Sequence, residues 1–213
     1  MREKGDAGAQ TVLVSATITP AVQRLLDGEM PGVERVTTRS LHRGAPGARH
    51  HFMEVPGTVD KLDVLGQVVG VAAGARKVRK AVVFCNTVQS CRAVEHALAE
   101  AGVITANYHG ELPHDKRVES MAAFSEERAP VLVCTDIAAR GLDFACDHVI
   151  NFDFPHSAVD YIHRAGRTAR AGKVGKVTSL VAKRDRSLAL QLDAQLKADG
   201  ELSGTRGGVA GRR

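Results

Sequence analysis

Apolar runs of six or seven residues recur along the chain, and most are followed by a stretch whose apolar positions repeat at helical spacing. The runs RHHFMEV (Arg49–Val55), AVVFCN (Ala81–Asn86), VITANYH (Val103–His109), VLVCTD (Val131–Asp136), HVINFDF (His148–Phe154) and KVTSLV (Lys176–Val181) are predicted as strands, and so is TVLVSAT (Thr11–Thr17) near the start. Helices are predicted after Thr19, with Pro20 at the first helical position, and over Val59–Ala73. Thr87 is placed to cap a helix that runs to Ala101 and stops at Gly102, and Pro113 opens another to about Glu127. Ser157 caps a further helix, and the last runs from about Asp185 to Ala198. Between Pro31 and Gly47 the composition turns to Gly, Pro and Arg, as in a linker or edge segment.

Several strands are continuous apolar runs rather than alternations, which is expected when both sheet faces are covered. Strands alternating with helices imply a parallel α/β sheet, whose ligands sit beyond the carboxyl ends of the strands. The loops starting at Thr87, Gly110, Thr135 and Pro155 are therefore expected to share one functional edge.

Composition narrows the class. The 213 residues are 44% hydrophobic and 25% charged, matching one soluble globular domain with ragged ends. No apolar run reaches the length of a membrane span, and the opening MREKGDAGAQ lacks the apolar core of a signal peptide. The setting is expected to be intracellular, with nucleus, cytoplasm and organelle (chloroplast or mitochondrion) equally compatible. Cys85, Cys91, Cys134 and Cys146 form no CxxC pair and read as reduced core thiols, so no metal site is expected. The net charge of +5 favours phosphate or nucleic acid as a partner. With no Trp, two Tyr and six Phe, stacking of unpaired bases is disfavoured and contact through backbone phosphates is expected.

Three groups of residues could carry chemistry. If the helix capped by Ser157 runs through YIHRAGRTARAG, then His163, Arg167 and Arg170 share one stripe suited to a polyphosphate, or they form a solvated basic face. The segment TDIAARGLD follows strand VLVC directly and could be a ligand loop, although Asp136 or Asp143 could equally cap the next turn. Asn86-Thr87, His109-Gly110-Glu111 and Arg117 could each hold a phosphate, or serve as cap, turn and surface charge.

Taken together, SAT (Ser15–Thr17), VVFCNT, HGEL with the following Arg117, CTDIAARGLDF and YIHRAGRTARAG occur in an order and spacing that resemble the second half of the DEAD-box RNA helicases. The resemblance covers about Val12–Val181. It implies a RecA-like three-layer αβα sandwich with a mostly parallel sheet. Residues 1–30 would then be a remnant of a preceding RecA-like domain, 31–57 a linker and first strand region, 58–199 the C-terminal helicase domain, and 200–213 a disordered basic tail.

The resemblance also implies residue roles. Arg167 and Arg170 would reach the γ-phosphate of ATP, with Arg170 as the arginine finger, and His163 would contact the first domain. Asp143 would hold the ATP ribose. Thr87, Gly110, Arg117, Thr135 and Gly141 would grip the RNA sugar-phosphate backbone, and Ser15 and Thr17 would couple the two domains. Three positions depart from the family pattern. Ala165 replaces a larger aliphatic residue, Ala169 stands where glycine is common, and His114 replaces the usual Gln of the QxxR motif, which weakens the case for one RNA contact.

No GxxxxGK[ST] and no Asp-Glu-Ala-Asp run occurs, so ATP and Mg²⁺ are expected to be held mainly by an N-terminal RecA-like domain preceding residue 1. On that reading Met1 begins a fragment, and the 213 residues alone neither bind ATP tightly nor hydrolyse it. A non-catalytic RNA-binding or regulatory module of the same fold is the alternative. A DNA helicase lobe is disfavoured by the HRxGRTxRAG form.

Overall fold

The structure, a computed structural model, describes residues 10–15, 18, 20–30, 32–36, 47–70, 80–136 and 143–198. Two compact units are present, residues 1–42 and 43–213. In the first, helix α1 (Pro20–Glu29) begins at the predicted proline. Asp27 accepts a hydrogen bond from Gln23 at 3.1 Å and pairs with Arg35. The strand predicted at Thr11–Thr17 does not form over residues 11–15, where Val12, Leu13 and Val14 are exposed. A short β-rich run with no ladder partner lacks the hydrogen bonds that would make it a strand.

The second unit runs β1 (Ala48–Glu54), α2 (Lys61–Val69), β2 (Ala81–Cys85), α3 (Val88–Glu100), β3 (Thr105–Tyr108), α4 (His114–Ser125), β4 (Val131–Thr135), β5 (His148–Asn151), α5 (Ala158–Ala165), β6 (Gly175–Val181) and α6 (Arg186–Ala198). The six strands form one sheet in the order β1-β6-β5-β2-β4-β3, with every pairing parallel. Every residue of β2 and β4 is buried, which explains their unbroken apolar runs.

Alternate strand residues face two separate cores. Val83, Cys85, Val131 and Ile150 pack under Val64 and Leu65 of α2 and Cys91, Val94 and Leu98 of α3. Phe84, Leu132, Cys134 and Val177 pack under Phe124 of α4, Tyr161 of α5 and Leu192 and Leu196 of α6. Helices on both faces of a parallel sheet give the three layers. All four cysteines are free and buried, and burial pushes the Cys146 thiol up to about 12.

Caps set the helix ends. Asp60 accepts from the Leu62 amide at 2.8 Å, so α2 starts two residues later than its apolar spacing suggests, and Gly70 closes it at φ +93°. Thr87 and Ser157 cap α3 and α5 as predicted.

Polar groups are also threaded through the face under α5. The Nδ1 of His50 lies 2.7 Å from the Tyr161 hydroxyl, and Asn151 donates to Ser179 at 2.9 Å. Burial, and then the nearby His51, lower the His50 imidazole from 6.5 to about 4. A base kept neutral in the fold favours folding only where the unfolded chain is neutral too, so its stabilisation is present above pH 6.5 and drains as the pH falls toward 4. Folding stability is expected to fall by up to about 3 kcal/mol across that window. In His50→Gln, denaturant titrations should show most of that slope gone.

Candidate functional site

Because every strand runs the same way, the segments after Cys85, Tyr108, Thr135 and Asn151 leave the sheet on one edge, as the parallel pattern requires. The side chain that ties this edge together is Arg164, which was not among the residues singled out from the sequence. It sits on α5, one per cent exposed. Its Nε donates to Asp136 Oδ1 at 2.6 Å and its Nη2 to Asp136 Oδ2 at 2.5 Å and to Asn86 Oδ1 at 2.7 Å. Its Nη1 donates to the Asp153 carbonyl at 2.7 Å and to Asn151 Oδ1 at 3.3 Å, and the guanidinium lies over the Phe84 ring. One planar fork thus joins the segments that follow β2, β4 and β5. Asp136 is therefore an arginine partner.

A second link reinforces the edge. The Asp153 carboxylate accepts from the Asn86 amide at 3.0 Å and from Lys61 at 3.2 Å. Burial alone would raise its pKa, but the Asn86 N–H and the Lys61 charge hold it below the ordinary carboxylate value. Asn86 completes its own set by donating to the Phe154 carbonyl at 3.0 Å.

The arginine stripe departs from expectation. Helix α5 ends at Ala165 and Gly166 caps it, so only His163 of the three predicted residues is helical, and it is exposed. Arg167 lies in the following turn, with its guanidinium 5.2 Å from the Phe144 ring centroid. Arg170 opens a short 3₁₀ turn, Arg170–Gly172, flanked by left-handed Ala169 (φ +54°) and containing left-handed Ala171 (φ +52°). A left-handed alanine costs about 1 kcal/mol or more, a strain that the glycine the family resemblance implies at position 169 would not carry.

The loop is held from behind. The Thr168 hydroxyl donates to the Cys146 carbonyl at 2.7 Å, and the Cys146 amide donates to the Arg167 carbonyl at 3.0 Å. At Gly175 a Cβ would meet the Thr168 hydroxyl and come within 2.7 Å of the Ala169 nitrogen, so only glycine fits beneath the loop. Arg170 Nε donates to the Gly166 carbonyl at 2.8 Å, and its Nη1 pairs with Asp143. Two residues given separate contacts with ATP by the family resemblance are here partners of one another. Burial, and then the adjacent Arg170 charge, lower the Arg167 pKa. Two guanidiniums in one another's field make a place where an incoming polyphosphate relieves repulsion.

The described RNA-side residues lie along the carboxyl edge of the sheet. Thr87 is exposed, and its hydroxyl accepts from the Ser90 amide at 3.0 Å while donating to the Ser90 hydroxyl at 3.0 Å. Gly110 is exposed, its φ lies outside the left-handed region, and an added Cβ would meet nothing within 4 Å. The chain itself makes no demand for glycine there. Next to it, His109 is buried with an unpartnered Nδ1, and burial lowers its pKa. Arg117 lies over the Tyr108 ring, and its Nε is buried without a partner. Thr135 ends β4, buried. Ser15 is exposed in the first unit, while Thr17 and Gly141 lie outside the described residues. Among the described residues no three His, Cys, Asp or Glu side chains gather as metal ligands would.

A six-stranded parallel sheet with helices on both faces defines a RecA-like lobe. The description "helicase conserved C-terminal domain" matches residues 60–172, just over half the chain, and the chain belongs to that family in its DEAD-box form. It is similar to DEAD-box ATP-dependent RNA helicase 39 of Arabidopsis thaliana, 49% identical over 92% of this chain and 32% of that protein. It is also similar to ATP-dependent rRNA helicase RRP3 of Encephalitozoon cuniculi, 36% identical over 87% of this chain and 44% of that one. Among solved structures, S. cerevisiae Dbp5 bound to RNA and ADP BeF3 superposes with a TM-score of 0.76 at 27% identity, over 92% of this chain and 50% of that chain. The chain therefore spans less than half the length of these curated relatives.

Proposed function

We propose that this chain is the C-terminal lobe of an ATP-dependent RNA helicase. It would hold the RNA sugar-phosphate backbone through Thr87, Gly110, Arg117, Thr135 and Gly141. Arg167 and Arg170 would be presented to the γ-phosphate of an ATP whose Mg²⁺ and phosphate loop belong to an N-terminal RecA-like lobe. Asp143 would take the ribose, His163 the opposite lobe, and Ser15 and Thr17 the coupling between lobes. The observation that carries the reading is the arginine loop, fixed by Gly175 and Thr168 against the amino ends of β5 and β6. The structural likeness to a relative bound to RNA and ADP BeF3 supports it further. Contacts to sugar and phosphate carry no base information, which suits the shortage of aromatic residues.

The test has two arms. ATP hydrolysis stimulated by RNA is expected when an N-terminal lobe is joined to the chain and absent from the 213 residues alone. Gly110→Ala is expected to weaken RNA binding about tenfold, since a methyl group there displaces a closely approaching backbone, and to leave the melting temperature unchanged. RNA affinity untouched by that methyl would remove Gly110 from the grip, and hydrolysis by the chain alone would overturn the division of labour.

A further inference from the structure

At the opposite end of the strands, two cations stand side by side. Arg49 on β1 is in direct register with Lys176 on β6, which is in register with His148 on β5. His51 follows on the same face as Arg49, since strand side chains alternate. Arg49 and Lys176 are exposed, and among the described residues no carboxylate pairs with either.

Like charges directly opposite on neighbouring strands are destabilising. Charge on an edge strand is commonly a guard against pairing with other chains, which would account for Arg49 on β1. It does not account for Lys176, because β6 lies inside the sheet between β1 and β5. Burial, and then the Lys176 and Arg49 charges, lower the His51 imidazole.

We infer that the Arg49–Lys176 row is a second contact for the phosphate backbone of RNA, engaged by the part of the strand that runs past the carboxyl-edge grip. This rests on the proposal that the carboxyl edge holds RNA. The seven residues of β1 separate the two edges by about 20 Å, so a short RNA gripped at one edge does not reach the other.

RNAs of about 6 and about 20 nucleotides distinguish the two sites, since a single grip of this kind covers only several nucleotides. Affinities are measured for the chain and for Arg49→Glu and Lys176→Glu. Each replacement turns a like-charged cross-strand pair into an opposite-charged one, so the fold is not weakened, and thermal melting checks that it is not. The expected result is a several-fold loss for the long RNA in each variant, none for the short RNA, and a salt slope for the long RNA about 0.7 shallower per lost contact. An unchanged advantage of long over short RNA in both variants would overturn the inference and leave the row to an acidic protein surface. An equal loss for both lengths would also overturn it, because the cations would then act only as a general field. Absence of binding by either RNA would instead overturn the carboxyl-edge reading, and this inference with it.

Discussion

Arg170→Ala, made in the protein that joins this lobe to its ATP-holding partner, is expected to slow RNA-stimulated ATP hydrolysis by about 10³, the scale of an arginine finger in phosphoryl transfer. Transfer of the γ-phosphoryl group builds charge on its equatorial oxygens, and a planar fork placed in advance meets that charge without reorganising. The loop supplies the placement. Arg170 leaves it between two left-handed alanines, with Nε fastened to the Gly166 carbonyl at 2.8 Å. Asp143 shares its guanidinium, but at 95% exposure that carboxylate is a weak competitor. Binding of RNA without nucleotide should change little, because Arg170 is placed among the phosphate-side residues only. Arg170→Lys keeps the charge but not the fork and should recover only part of the rate. Single-turnover hydrolysis within a few-fold of the unaltered protein would refute the assignment.

The largest effect on folding is expected at Arg164. Arg164→Met preserves much of the volume but leaves the Asp136 carboxylate facing a buried site with no partner, and Asn86 Oδ1 and the Asp153 carbonyl lose their donors. Breaking a buried pair from one side costs about 3–5 kcal/mol. For a domain of this size that is roughly 10 °C in melting temperature. Arg164→Lys should be intermediate, since an ammonium cannot span Asp136, Asn86 and Asp153 at once. Where the variants fold, RNA binding and ATP hydrolysis should fall together, because the segments after β2, β4 and β5 lose their common tie. A melting temperature within about 2 °C of the unaltered chain would show that the fork is dispensable.

Most of the sheet is legible in the sequence for one reason: strands buried on both faces must be apolar throughout, as in VVFC and VLVC. At TVLVSAT composition suits a strand, but on the family reading the run is cut from its parent sheet, and residues 11–15 form no ladder among the described residues. At α5 the spacing of His163, Arg167 and Arg170 assumes a helix that continues, whereas Gly166 ends it and the loop is built from left-handed residues that spacing does not reveal. Arg164 escapes notice because a cation in an amphipathic helix reads as solvent-facing. A signal does exist. Arg164 lies three residues after Tyr161, on the buried face of α5, and polar residues stand at the ends of two neighbouring apolar strands, Asn86 and Asp136. A charge on an apolar face beside strand-end carboxylates and amides marks a buried clamp.

The packing at Gly175 bears on timing. With β6 pressed against Thr168 and Ala169 and no room for even a methyl group between, the arginine turn has little freedom to swing on its own. On the proposed reading its guanidiniums would travel as cargo of the whole lobe, and the instant of fuel cleavage would be governed by how often two rigid bodies meet, not by the flexing of a loop.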